Sequence, residues 1–242
     1  MTSARTGSIV LLEFYGSPPQ HSLARLADRL PEGSVDIWDP LCADLLTADS
    51  LAALATELVT SNPTAAPQIL VVGSCFGAPL ASACATELAN RSCGNVAVAA
   101  IDPVIVTDEV LQAQVAALAT RVGTVLPAPE LDLGSWPEAV LSMLRPAAVR
   151  QAIADGADLL EAADVAETLT SHYALWLRYL ELCRRSELSI TVPASTVRSD
   201  SGSGGVTLGQ EVRLGEFAET SDLLAGDELT GWLHSCVISP CR

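Results

Sequence analysis

The sequence contains no lysine. All 13 basic residues are arginine, set against 29 Asp and Glu, for a formal net charge of −16 at pH 7. So acidic a chain repels phosphate backbones, which argues against nucleic acid as a partner. Charge of either sign is scarce at 17%, below the usual quarter or so of residues. With 49% apolar residues, the chain is expected to bury a sizeable core and not to remain disordered. No CxxC pair occurs among the seven cysteines, and their spacing to the three histidines suits no zinc site. No metal is therefore expected. Residues 1–8 are polar, and the following Ile9-Val10-Leu11-Leu12 is too short for a signal-peptide core or a membrane span. A cytoplasmic protein with reduced thiols is expected, with no membrane partner; Cys236 and Cys241 form the pair most exposed to adventitious oxidation.

What the sequence does have is an alternation of short apolar runs and helical patterns over its 242 residues, the length of one α/β domain spanning 1–242. Strands are expected at 8–15, 34–38, 68–72 and 96–101, and helices at 22–30, 49–60 and 78–91, with Asp49 or Ser50 as a cap. Strands apolar on both faces and separated by helices imply a mostly parallel sheet flanked by helices. Residues 108–188 then read as nearly all helix, at 109–121, 136–145, 147–154 and 164–185. A strand pattern returns at 188–198, a second is expected at 211–217, and residues 229–236 are expected to form a terminal segment or helix. A helical insertion thus interrupts an α/β sheet.

The chemistry centres on Gly73-Ser74-Cys75-Phe76-Gly77, which follows an apolar strand and opens a helix. G-x-S-x-G in that setting is a nucleophile elbow, and here the middle residue is cysteine. At a helix N-terminus Cys75 is expected to be a stabilised thiolate. The Phe76 N–H would face a developing oxyanion, with a second donor from the loop around Tyr15 and Gly16. Cys84, Cys93 and Cys183 read as packed thiols. A cysteine nucleophile needs a base, and the base an orienting acid. Asp102 and Asp200 each follow a strand, where ligands of such sheets bind. His21 precedes the nucleophile, His172 lies in the helical insertion and His234 follows the last strand. The chain order nucleophile, acid, histidine favours His234, then His172.

The block QILVVGSCFGAPLASACATELA, the Asp of AAIDP after the next strand, and the Val192-Pro193 stretch resemble the thioesterases of polyketide and nonribosomal peptide synthetases. With a cysteine elbow, the chain is most similar within them to the stand-alone Dieckmann cyclases that form tetramate and pyridone rings. The resemblance implies an α/β-hydrolase fold whose insertion at about 108–188 is a lid over the active site. It implies a Cys75-Asp102-His234 triad and a β-ketoacyl-aminoacyl substrate on the phosphopantetheine of an acyl or peptidyl carrier protein, with no diffusible cofactor. The pattern departs from those thioesterases at Gly226-Asp227-Glu228, where they carry Gly-Asp-His. Lid residues Trp136, Tyr173, Trp176, Leu177 and Leu180 would wall the pocket, and Arg145, Arg150, Arg178, Arg184 and Arg185 would meet an acidic carrier. A hydrolytic type II thioesterase, a dienelactone-hydrolase-like enzyme and a catalytically degenerate scaffold are the competing readings.

Overall fold

The structure is a computed structural model that describes residues 7–14, 22–41, 47–91, 94–127, 135–186, 191–200 and 207–238. It divides into two compact units. The first holds the sheet; the second is helical and is built mainly on residues 106–185, with residues 41–47.

In the first unit, strands β1 (Ser8–Leu12), β2 (Val35–Trp38), β3 (Gln68–Ser74), β4 (Asn95–Ile101), β5 (Ala194–Val197) and β6 (Gln210–Val212) form one sheet in the order β2-β1-β3-β4-β5-β6. Every pairing is parallel. The central strands explain themselves chemically. All five residues of β1, and residues 69–73 of β3, are buried, as expected of strands covered on both faces. Helix α1 (Ala24–Ala27) is shorter than its periodicity suggests. Helix α2 (Leu51–Ser61) is capped by Ser50, whose side chain accepts from the Ala53 N–H at 3.1 Å. Helix α3 (Ala78–Arg91) matches its expected bounds and buries Leu80, Ala81, Cys84 and Leu88.

The chain after β6 differs from its sequence pattern. The strand stops at Val212, and a short helix, α7 (Thr220–Ala225), precedes the last one, α8 (Asp227–Ile238). Glu219 and Asp222 form a capping box that starts α7 at Thr220. The core of this side of the sheet joins Ile9, Leu11, Leu70, Val72 and Ile101 to Leu223, Leu224, Leu229, Leu233 and Val237.

The second unit contains α4 (Asp108–Arg121), α5 (Trp136–Ala154) and α6 (Leu159–Arg185). The two helices expected at 136–145 and 147–154 are one, running through Pro146. Proline there removes one N–H from the ladder. The exposed position of Pro146, with Ser142 also exposed, lets water satisfy the freed carbonyl.

Candidate active site

Cys75 sits where β3 gives way to a 3-10 turn at Cys75–Gly77, which runs directly into α3. Its φ is +48°, a left-handed conformation that side chains rarely adopt. Strain of this kind persists only when the surroundings fix it, and the two glycines of the motif show how. A Cβ on Gly73 would lie 2.5 Å from the Gly77 carbonyl oxygen and 2.8 Å from the Ala81 Cβ. A Cβ on Gly77 would lie 2.9 Å from the Phe14 ring. The turn is therefore too tight for any other residue at Gly73. The Val104 N–H donates to the Cys75 carbonyl at 3.2 Å and ties the elbow to the chain after β4.

Asp102 is the neighbour this geometry supplies. Ser74 pairs with Ile101 at the end of the β3–β4 ladder, so Cys75 and Asp102 are the next residues on adjacent strands. Asp102 is buried and also adopts a positive φ, +44°. Its carboxylate accepts three hydrogen bonds: from the Ser199 N–H at 2.8 Å, from Ser199 Oγ at 2.7 Å and from Thr220 Oγ1 at 2.7 Å. Asp200, the other acid considered, is exposed.

The Thr220 hydroxyl also lies within hydrogen-bonding reach of the Cys75 sulfur. Cys75, Thr220 and Asp102 therefore form one connected group. Burial, and secondarily the charge of Asp102, push the Cys75 thiol up to about 11, while the Thr220 hydrogen bond opposes them. The thiolate expected from the helix N-terminus is thus outweighed, and the resting group at neutral pH is the thiol. Burial likewise pushes Cys84 and Cys183 up, the latter to about 12.

His234 is not among the partners of Cys75 or Asp102. It is half-buried in α8, three residues before Val237, which lies against Gly7 and Gln68 at the start of β1 and β3. Cys75 follows the other end of β3, about 20 Å along the strand from Gln68 at ~3.3 Å per residue. Sequence order singles out His234 because it follows the last strand, but α7 intervenes and carries the chain past the acid first. His172 is half-buried in α6, in the helical unit. His21, Tyr15 and Gly16 lie outside the described residues. Phe76 follows Cys75 in the 3-10 turn.

In the helical unit, Trp136 and Tyr173 are buried, and Trp176 is half-buried with its ring stacked on Tyr179 at 5.8 Å. Arg184 pairs with Glu181 at 2.8 Å and Asp108 at 3.1 Å, Arg185 with Glu181 at 2.5 Å, and Arg145 with Glu167 at 2.8 Å. Much of the positive charge expected to face a carrier is thus engaged by acids of the same unit. Among the described residues, no helix is long and apolar enough to cross a membrane, and no three or more His, Cys, Asp or Glu are grouped to hold a metal ion.

Neither any protein-family model nor any curated protein matches the sequence. Solved structures do. A thioesterase domain, Vlm2, bound with a dodecadepsipeptide, superposes with a TM-score of 0.51 at 14% identity, over 96% of this chain and 94% of its own. The fold is that of a thioesterase domain. The chain also superposes on part of a four-domain nonribosomal peptide synthetase, holo-AB3403, with a TM-score of 0.55 at 15% identity over 99% of this chain. The chain spans about a fifth, 20%, of that synthetase.

Proposed function

We propose that this protein takes the acyl group of a carrier-bound thioester onto Cys75 and releases it by an intramolecular Dieckmann condensation, as a tetramate or pyridone ring. The observation that carries the reading is the strained elbow of Cys75 beside buried Asp102 in a thioesterase-type fold. The partner is an acyl or peptidyl carrier protein of a polyketide–nonribosomal peptide assembly line, whose phosphopantetheine presents the substrate. No diffusible cofactor is consumed.

Two steps balance the reaction. In the first, Cys75 Sγ bonds to the thioester carbonyl carbon, the bond to the phosphopantetheine sulfur breaks, and the thiol proton ends on that sulfur. The Phe76 N–H faces the oxyanion formed on the way. In the second, the carbon between the two carbonyls of the β-ketoacyl group loses a proton and attacks the acyl-enzyme. A C–C bond forms, the C–S bond breaks, and the proton ends on Cys75. A thioester favours this course because its carbonyl is less resonance-stabilised than that of an ester and accepts a soft carbon nucleophile.

Incubation with a synthetic β-ketoacyl-aminoacyl thioester, followed by product analysis, tests the reading. A ring product formed by wild type and lost in Cys75→Ala is expected. Free acid would move the assignment to a hydrolytic thioesterase, and ring formation by Cys75→Ala would overturn it.

A further inference from the structure

Three groups meet at the ends of β3 and β4, and the middle one is a threonine. Thr220 is held in place twice. The capping box of Glu219 and Asp222 fixes the start of α7, and the hydroxyl donates to Asp102 Oδ2 at 2.7 Å. Ser199 gives Asp102 its other two hydrogen bonds, one from its N–H and one from its hydroxyl. A carboxylate only accepts, so while Cys75 is a thiol the Thr220 hydrogen goes to Asp102 and the lone pairs of Oγ1 face the S–H; turned to an ionised sulfur, the same hydrogen opposes the rise in the Cys75 pKa. The resulting chain runs S–H to O–H to carboxylate. In Ser-His-Asp and Cys-His-Asp sites an imidazole occupies the corresponding middle position.

We propose that Thr220 is the proton relay of this site, standing between nucleophile and acid where such sites place a histidine. Its role in turnover rests on the acyl-transfer reading above. As Cys75 Sγ bonds to the substrate carbonyl, its proton passes to Thr220 Oγ1 and the Thr220 proton passes to Asp102. As the phosphopantetheine sulfur departs, the same path returns the proton to it. In ring closure the proton taken from carbon reaches Cys75 Sγ by this route as the C–S bond breaks.

Every such step begins or ends with the proton on a sulfur, so the site needs no lasting proton acceptor. Hydrolysis of the acyl-enzyme balances in the same way, with a proton of water ending on Cys75 Sγ, so the relay would serve either fate of the acyl group. The raised pKa of Cys75 agrees with this arrangement, since the resting thiol carries the proton that the relay moves.

The test uses the full chain and two readouts. One is the pH profile of Cys75 alkylation by iodoacetamide, followed by peptide mass spectrometry, which needs no substrate. The other is turnover of the synthetic thioester. Thr220→His places an imidazole between thiol and carboxylate, and Cys75 should then be alkylated at pH 7 at least about ten-fold faster than in wild type, by forming a thiolate–imidazolium pair. Adding Asp102→Asn should remove most of that gain. Thr220→Val should lower turnover by about 10²-fold, the lower end of proton-transfer contributions, while Thr220→Ser retains most of it. Thermal denaturation confirms that each variant is folded. Unchanged alkylation in folded Thr220→His, or wild-type turnover in Thr220→Val, would overturn the relay. So would loss of turnover in His21→Ala, His172→Ala or His234→Ala with Thr220→Val unaffected. If Cys75→Ala turned over as well, the acyl-transfer reading would fail, and the alkylation profiles would still decide where Thr220 stands.

Discussion

Cys75 and Asp102 leave adjacent parallel strands at the same level, one residue beyond the Ser74–Ile101 pair, and both adopt left-handed backbone conformations. Two such residues side by side are costly, at about 1–3 kcal/mol each. The sheet register, the Gly73 contact and the hydrogen bonds on Asp102 hold them there. The consequence is a thiol and a carboxylate close enough for the charge of one to raise the pKa of the other.

That coupling has a sign that separates this site from one driven by an ionised imidazole. Removing the Asp102 charge removes a force that disfavours the thiolate, so in Asp102→Asn the Cys75 pKa falls from about 11. At any fixed pH below the midpoint, alkylation then becomes faster. In a Cys-His-Asp site the same change would slow it. A pH series of iodoacetamide labelling, read on the Cys75 peptide, distinguishes the two.

Gly73 is predicted to tolerate no side chain. The space beside it is filled by backbone of Gly77, which has no flexible end to move. Gly73→Ala should destabilise the fold by about 1–3 kcal/mol, the usual range for overpacking. Urea denaturation at constant slope checks this, and an unchanged midpoint would show that the elbow is looser than described.

The tight turn at Cys75 and the strand-end position of Asp102 were legible in the sequence, and the place of Thr220 against Asp102 was not. QILVV followed by GSCFG marks a strand, a tight turn and a helix start, and Asp102 is the first residue past the next apolar run. Thr220 has no such signal. The pattern over 211–217 reads as strand to its end, whereas β6 stops at Val212, and Thr220 opens a six-residue helix too short for periodicity to reveal. Glu219 is an unusual cap residue; the one local clue is Asp222 three positions later. Attention passes instead to Gly226-Asp227-Glu228 and on to His234, which α8 carries toward the far ends of the strands. Pro146 misleads in the same way, suggesting a break where an exposed proline is accommodated within α5.

Because Asp102 and Thr220, and not His234, are the groups that act on Cys75, and Ser199 and Thr220 are the donors to Asp102, His234→Ala should leave the Cys75 alkylation profile where it is. A shift of the midpoint in that variant would return His234 to the site. Parallel labelling of both proteins across the same pH series is sufficient.

Ser199 supplies two of the three hydrogen bonds on Asp102. Ser199→Ala removes the hydroxyl and keeps the N–H, leaving a buried carboxylate one partner short. A loss of about 1–3 kcal/mol in unfolding free energy is expected, as for other buried groups deprived of a partner. Ser199→Thr, which keeps a hydroxyl, should lose less.

The central claim is that Cys75 carries the acyl group, and intact-protein mass spectrometry tests it most directly. Wild type and Cys75→Ser would each be incubated with the β-ketoacyl-aminoacyl thioester and quenched at intervals. The account predicts an added acyl mass that maps to residue 75, transient on the cysteine and longer-lived on the serine, with a ring product lacking water in the wild-type mixture. An adduct on any other cysteine, or ring product from wild type with no acylated residue 75 in either protein, would contradict it.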